Sequence, residues 1–287
     1  MAKFCRRRSK AMATERCREG LFVIVLACIP ARYGSTRFPG KVLAKDTGKF
    51  LIQHTYERAC LASLPEKVII AADDKRIAAA AKSFGAECIM TSRNCASGTD
   101  RIAEAVADIN VDIAVNLQAD EPEIDPKNID YVAQLLIDNP DYPMATLAAD
   151  FQNADQIPDP NIVKVVVTQH AIRNTQYARL RAIYFSRSVI PYGRGKNGVG
   201  PVGNYLRHLG IYAYRKEFLL KITALPQTPL EKIEKLEQLR ALENGFDILV
   251  AKVKHTCDGI DTPDQYAEFV KRYKKAAERL KTKKENL

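Results

Sequence analysis

The sequence contains no tryptophan and only four methionines and four histidines in 287 residues. No apolar run approaches the roughly 20 residues that cross a bilayer, which excludes a membrane-spanning helix. No Cys-x-x-Cys occurs, no Cys/His group has zinc spacing, and the seven cysteines are an odd number. A structural zinc site and a disulfide framework are therefore both unsupported. Cys28, Cys60 and Cys88 stand in apolar or helical stretches, where a free thiol behaves as a small hydrophobe. The expectation is a reducing, cytoplasmic compartment.

With 46% hydrophobic and 27% charged residues the composition is that of a globular chain rather than a disordered one. The net charge of +10 suggests nucleic acid until it is located along the chain. Residues 1–20 carry seven Lys/Arg against two acids and residues 271–287 carry eight against two, so the body is close to neutral. Binding to an anionic polymer would have to act through these tails and would be salt-sensitive. The expected organisation is a flexible basic extension over 1–20, a single α/β domain over 21–270 and a basic tail over 271–287.

Arg6-Arg7-Arg8 followed by the apolar run Leu21–Ile29 has the order of a secretion signal. The same run reads as a first buried strand, because Phe22 to Val25 favour strands and Pro30 stops it. The densest motif in the chain begins at Pro30, and cleavage there would remove the strand that holds it, so the strand is preferred. Apolar runs at 21–29, 67–72, 86–90 and 111–117 then alternate with helical patterns at 49–64, 73–84 and 98–109. This rhythm predicts a Rossmann-like, mostly parallel sheet with helices on both faces. Beyond Pro122 the expected elements are helices at 126–139, 216–223, 229–244 and 263–280, and strands at 144–151, 162–168, 208–214 and 247–253. An apolar stretch near 182–190 and a Gly-rich loop at 193–203 suggest a smaller inserted lobe.

Three segments carry candidate chemistry. The loop from Ile29 to Lys41 follows a core strand, at the sheet edge where open α/β folds bind ligands. Gly34, Ser35 and Gly40 allow close backbone approach, and Arg32, Arg37 and Lys41 can neutralise phosphate charge. It is not a Walker A loop, since Gly34 is one residue too far from Gly40-Lys41 and Val42 replaces the Ser/Thr. Asn116 to Pro122 follows another apolar strand and brings Asp120 to the same edge. There a carboxylate can hold Mg²⁺ alongside phosphate oxygens and water. Asp261 precedes the helix start Thr262-Pro263-Asp264-Gln265, is not needed for capping, and would supply a second carboxylate if the chain returns to that edge. Gly193-Arg-Gly-Lys-Asn-Gly198 matches the dinucleotide fingerprint in letters, but no helix can open at Val199-Gly200-Pro201, so a nicotinamide-dependent dehydrogenase is not expected and a mobile loop is. His54, His170 and His255 lack sequence partners that would make them ligands or bases.

Ile29–Lys41, Ser97-Gly98-Thr99-Asp100-Arg101, Asn116–Pro122, Tyr184–Arg187, Arg207–Tyr212, Pro229–Arg240 and Asp261-Thr262-Pro263 together resemble the 3-deoxy-manno-octulosonate cytidylyltransferase (CMP-Kdo synthetase) family, in order, over roughly residues 22–270. The resemblance implies a nucleotide-diphospho-sugar transferase fold and a homodimer built by the lobe after Asp150. It implies transfer of CMP from CTP to the anomeric hydroxyl of Kdo with Mg²⁺, an activation step for lipopolysaccharide biosynthesis; the 8-amino analogue of Kdo is an alternative acceptor. Arg32, Lys41, Asp120 and Asp261 would then be catalytic, the two aspartates holding the metal. Arg37, Ser97, Gly98 and Gln118 would complete the nucleotide site. For the sugar acid, Arg187 offers a planar fork to the carboxylate, and His208, Glu234 and Gln238 would meet hydroxyls. In the 229–244 helix, Leu230, Ile233, Leu236 and Leu239 are expected to face the core. Ala119 departs from the family's usual Gly and could narrow the site, and the tails are unexplained by the resemblance.

Overall fold

The computed structural model describes residues 23–34, 37–168, 179–194, 198–254 and 258–285. The 1–20 extension, Ser35, His170, His255 and the centre of the Gly-rich loop lie outside the described residues.

The first half alternates strand and helix as the apolar runs require. β1 (Val25–Ala31), α1 (Leu51–Ala59), β2 (Lys67–Ala72), α2 (Lys75–Ser83), β3 (Glu87–Met90), α3 (Gly98–Val106), β4 (Ile113–Asn116) and α4 (Pro126–Ile137) follow one another. β1 lies between β2 and β4, parallel to both, and β3 adds in parallel outside β2. Its side chains are buried on both faces, Val25, Ala27 and Ile29 toward α1, α2 and α4, and Leu26 and Cys28 toward α3. Each fully buried Val, Leu or Ile of this kind stabilises the fold by about 1.5–3 kcal/mol. Short acceptor side chains start the helices, where the first N–H groups have no helical partner. Asp74 accepts from Arg76 N–H at 2.9 Å, Ser97 from Asp100 N–H at 3.1 Å and Asp125 from Lys127 N–H at 3.0 Å.

The second half comprises β5 (Met144–Asp150), β6 (Lys164–Val167), β7 (Arg179–Ser186), β8 (Leu206–Arg215), α5 (Lys216–Ala224), α6 (Pro229–Glu234), α7 (Gln238–Glu243), β9 (Ile248–Val253) and α8 (Pro263–Glu285). The strand order is β3-β2-β1-β4-β8-β5-β9-β7-β6, and β6 also pairs with β8. The pairings β8–β5–β9–β7–β6–β8 therefore close a ring beside the open parallel half. Mostly parallel pairing holds only for β1–β4 and for β5 with β9. β8 runs against both β4 and β5, β7 against β9, and β6 against β7 and β8. In this half only β5 and β9 pair in parallel, and the chain between them carries α5, α6 and α7, the kind of crossover that parallel neighbours need.

The expected single helix over 229–244 is two helices. Lys235 takes φ 53° and ψ 49°, a left-handed conformation that ends α6. Leu230 and Ile233 face solvent, Ile233 at 77% exposure, whereas Leu236 and Leu239 are buried as expected. Glu231 takes the inward position instead. Its carboxylate meets Arg240 through two bonds of 2.5 and 2.8 Å and accepts from the Thr228 N–H at 3.2 Å.

Candidate active site

The loop after β1 folds back on itself. Gly40 donates to the Tyr33 carbonyl at 3.3 Å with φ +67°, a conformation open to glycine, and a Cβ there would stand 3.4 Å from the Tyr33 hydroxyl. This turn aims Lys41 at two distant segments. Its ammonium donates to Asp120 Oδ2 at 2.5 Å, to Asp261 Oδ1 at 3.0 Å and to the Ile260 carbonyl at 2.9 Å. Arg37 pairs with the other oxygen of Asp261 at 3.0 Å. Arg32 is exposed at the mouth of the same loop.

Backbone bonds hold these segments in place. The Ala119 carbonyl accepts from the buried Thr55 hydroxyl at 3.1 Å, and Ile260 N–H donates to the Asp120 carbonyl at 2.9 Å. Gln265 accepts from the N–H groups of Asp261 and Thr262, so the Asp261 carboxylate is free for Lys41 and Arg37. Burial alone would raise the Asp261 carboxyl, but Lys41 and Arg37 outweigh it and hold it below its usual value. Ala119 is 7% exposed and belongs to the hydrophobic core, so its methyl packs inward.

Ser97 and Gly98 open α3 beside this loop. Gly98 packs on Pro30 so closely that a Cβ would lie 3.3 Å from the ring. Glu237 reaches the same helix end, where it accepts from Thr99 at 2.6 Å and also hydrogen-bonds Ser97; burial raises its carboxyl. Gln118 donates to the Gly210 carbonyl on β8 at 3.4 Å. Two residues away, His208 meets the Thr146 hydroxyl at 2.9 Å and the Phe185 ring edge at a centroid distance of 5.0 Å. Burial pushes its imidazole down to about 3, so the ring is neutral at physiological pH.

The remaining expected sugar contacts are engaged within the fold. Arg187 donates to the carbonyls of Glu234 at 2.8 Å, Pro160 at 2.9 Å and Lys235 at 3.4 Å, which braces the left-handed turn. Glu234 accepts from Ser186 Oγ at 2.6 Å and Arg187 N–H at 2.9 Å. Gln238 is 5% exposed on a different helix from Glu234, with its side-chain nitrogen buried and unbonded. Glu234 and Gln238, expected on one continuous helix, lie on two because the chain breaks at Lys235.

The structure adds residues the motifs did not single out. Arg207 pairs with Asp258 at 2.6 Å and keeps a buried, unbonded Nε; it directly precedes His208 in a recognised block. Glu121, beside Asp120, is raised to about 8 by burial and then by Asp120 and Asp258, against Arg207. Asp73 stands just beyond β2 as Asp120 stands beyond β4, and the same sheet-edge rule would have found it.

A parallel half-sheet whose edge gathers a cationic loop and two carboxylates defines a nucleotidyltransferase-like α/β protein. The cytidylyltransferase family model matches residues 26–248. The chain belongs to that family, in the branch of the 3-deoxy-manno-octulosonate cytidylyltransferases. The relative of that name from Solibacter usitatus (strain Ellin6076) is 48% identical, over 87% of this chain and 94% of its own. An 8-amino-3,8-dideoxy-manno-octulosonate cytidylyltransferase from Shewanella halifaxensis (strain HAW-EB4) is 44% identical, over 84% and 94%. Among solved structures, CMP:2-keto-3-deoxy-manno-octonic acid synthetase complexed with CTP aligns with a TM-score of 0.79 and 39% identity, covering 88% of this chain and 99% of that one.

Proposed function

We propose that this cytidylyltransferase moves CMP from CTP onto the anomeric hydroxyl of 3-deoxy-manno-octulosonate and releases pyrophosphate. The observation that carries the reading is the meeting of Asp120 and Asp261, distant in sequence, on the single Lys41 ammonium. Two carboxylate oxygens directed at one positive point fit magnesium, which takes one or two carboxylates and completes its shell with phosphate oxygens and water. Among the described residues no group of three or more His, Cys, Asp or Glu is placed to hold a metal, so substrate oxygens would have to contribute. When bound between Asp120 and Asp261, the ion would polarise the α-phosphate and the attacking hydroxyl.

The chain's own residues supply positioning and charge, which is most of what phosphoryl-type transfer requires. Arg32, Arg37 and Lys41 hold the triphosphate and stabilise the departing pyrophosphate. Ser97 and Gly98 present backbone groups to cytosine, with Gln118 nearby. Neutral His208 offers a hydrogen bond to the sugar without adding charge, while Arg187, Glu234 and Gln238 shape the wall of the sugar site. A homodimer built through the half after Asp150 and a cytoplasmic location belong to the same reading.

The test is pyrophosphate release by the purified protein with CTP, ATP, GTP or UTP, with and without Kdo. Release that requires CTP and Kdo together, and that EDTA abolishes, is expected. Asp120→Asn should lower turnover by about a hundredfold or more with an unchanged melting curve. Release without the sugar, or indifference to the base, would overturn the proposal. The likeness to the 8-amino enzyme makes 8-amino-Kdo the second acceptor to assay, and turnover on it alone would favour that variant of the reaction.

A further inference from the structure

Base and triphosphate are assigned above to segments on different elements, the N-terminus of α3 and the loop after β1. Their separation decides whether a nucleotide of the right base presents its α-phosphorus at the metal carboxylates. Gly98 of α3 packs over Pro30, near the end of the strand from which the loop leaves. A buried polar bridge joins the two segments.

Arg101 stands on the first turn of α3 and its side chain is only 4% exposed. Its guanidinium donates to Thr91 Oγ1 at 2.7 Å, to the Ser92 carbonyl at 3.2 Å and to Asp73 Oδ2 at 3.3 Å. The other oxygen of Asp73 accepts the Tyr33 N–H of the cationic loop at 3.0 Å. Tyr33 is itself clamped, with its ring against Gly40 on one side and the Arg76 guanidinium 3.4 Å from its centroid. One carboxylate thus bonds the loop with one oxygen and the helix with the other.

We infer that Asp73 and Arg101 fix the base-reading end of α3 against the triphosphate loop, making Arg101 a positioning residue for nucleotide selectivity. The inference rests on the proposed assignment of Ser97-Gly98 to the base and of the loop to phosphate. A buried guanidinium suits the task because its planar fork reaches three acceptors at once, whereas a lysine ammonium presents a single point on a flexible stem. Displacement of the helix end by even 1 Å would misalign base and phosphorus together.

Three variants test this: Arg101→Lys, which keeps the charge; Asp73→Asn, which keeps an acceptor for Tyr33; and Thr91→Val, which deletes one hydroxyl. Binding of CTP and UTP is measured without sugar, and turnover with it. Arg101→Lys should lower the preference for CTP over UTP by about tenfold or more, with KM for the sugar within about twofold of wild type. Thr91→Val should lower that preference by about three- to tenfold, and it carries the test should Arg101→Lys fail to fold. Folded variants that keep the wild-type preference, or that lose both nucleotides in proportion to their melting temperature, overturn the bridge alone. A wild-type protein indifferent to the base overturns the underlying reading and the bridge with it.

Discussion

His208 shows how far a single side chain can be carried from its solution behaviour. It meets Thr146, Phe185 and Tyr212, and its pKa falls to about 3 through burial. In the unfolded chain the ring titrates near 6.5. Below that pH the unfolded state takes up a proton that the folded state refuses until about pH 3, so acidification across this window removes stability. His208→Gln keeps a polar partner for Thr146 and should flatten the loss by up to about 1.4 kcal/mol per pH unit. Urea unfolding of both proteins at pH 7 and pH 5 checks this, and equal slopes would contradict it. Gly40 is constrained by backbone rather than charge. At φ +67°, Gly40→Ala should cost about 1–2 kcal/mol, and because Lys41 is the next residue it should also raise KM for CTP.

Among the elements, legibility followed how much of the signal was local. β2 is fully apolar after Lys67 and was readable at its observed bounds, and α8 opens at Pro263 with the Thr262 hydroxyl accepting the Gln265 N–H, as the Thr262-Pro263 start announced. The α6–α7 break was hidden because Lys235, not glycine, takes the left-handed turn, held there by Arg187, which stands one residue beyond β7. The three-residue apolar spacing then pointed the wrong way, toward Leu230 and Ile233. A pair of substitutions distinguishes the two faces. Ile233→Ser, harmful on a core face, should change stability by less than about 0.5 kcal/mol. Glu231→Ala should cost about 3–5 kcal/mol, because it strands a buried Arg240 charge; denaturant melts of both proteins decide. At the site, Asp120 was legible as an acid ending a parallel strand. Asp73 obeys the same rule but was masked by its neighbour, since Asp74 does cap α2. Arg187 could not be judged from type alone, because its fork is directed by a turn that only the fold creates.

At the scale of the whole molecule, the candidate site depends on a return of the chain that the sheet does not itself enforce. Asp120 is carried by the core strand β4, but Asp261 comes after the last strand, at the start of α8. That helix meets the body through a small separate cluster of Leu51, Ile260, Tyr266 and Phe269, with Phe38 of the cationic loop packed against it. Tyr266 also accepts the Asp46 N–H at 2.9 Å, and His54 on α1 stands edge-on to Phe269 and Tyr273. The attachment is thus mostly aromatic, and apart from the main cores on either face of the sheet. Loosening it should remove Asp261 and the Ile260 carbonyl from Lys41 while leaving β1–β4 folded. Phe269 is 2% exposed, and truncating such a side chain costs about 3–5 kcal/mol at the site of the cavity. In Phe269→Ala we expect α8 to exchange its amide hydrogens much faster, with protection in β1, β2 and β4 retained. Turnover should fall by more than the melting temperature explains, and CTP binding should weaken less than turnover, because Arg32, Arg37 and Lys41 stay on the loop. Hydrogen exchange read segment by segment, alongside kcat and nucleotide affinity, checks both parts. Unchanged turnover with a freely exchanging α8 would show that the second carboxylate is dispensable.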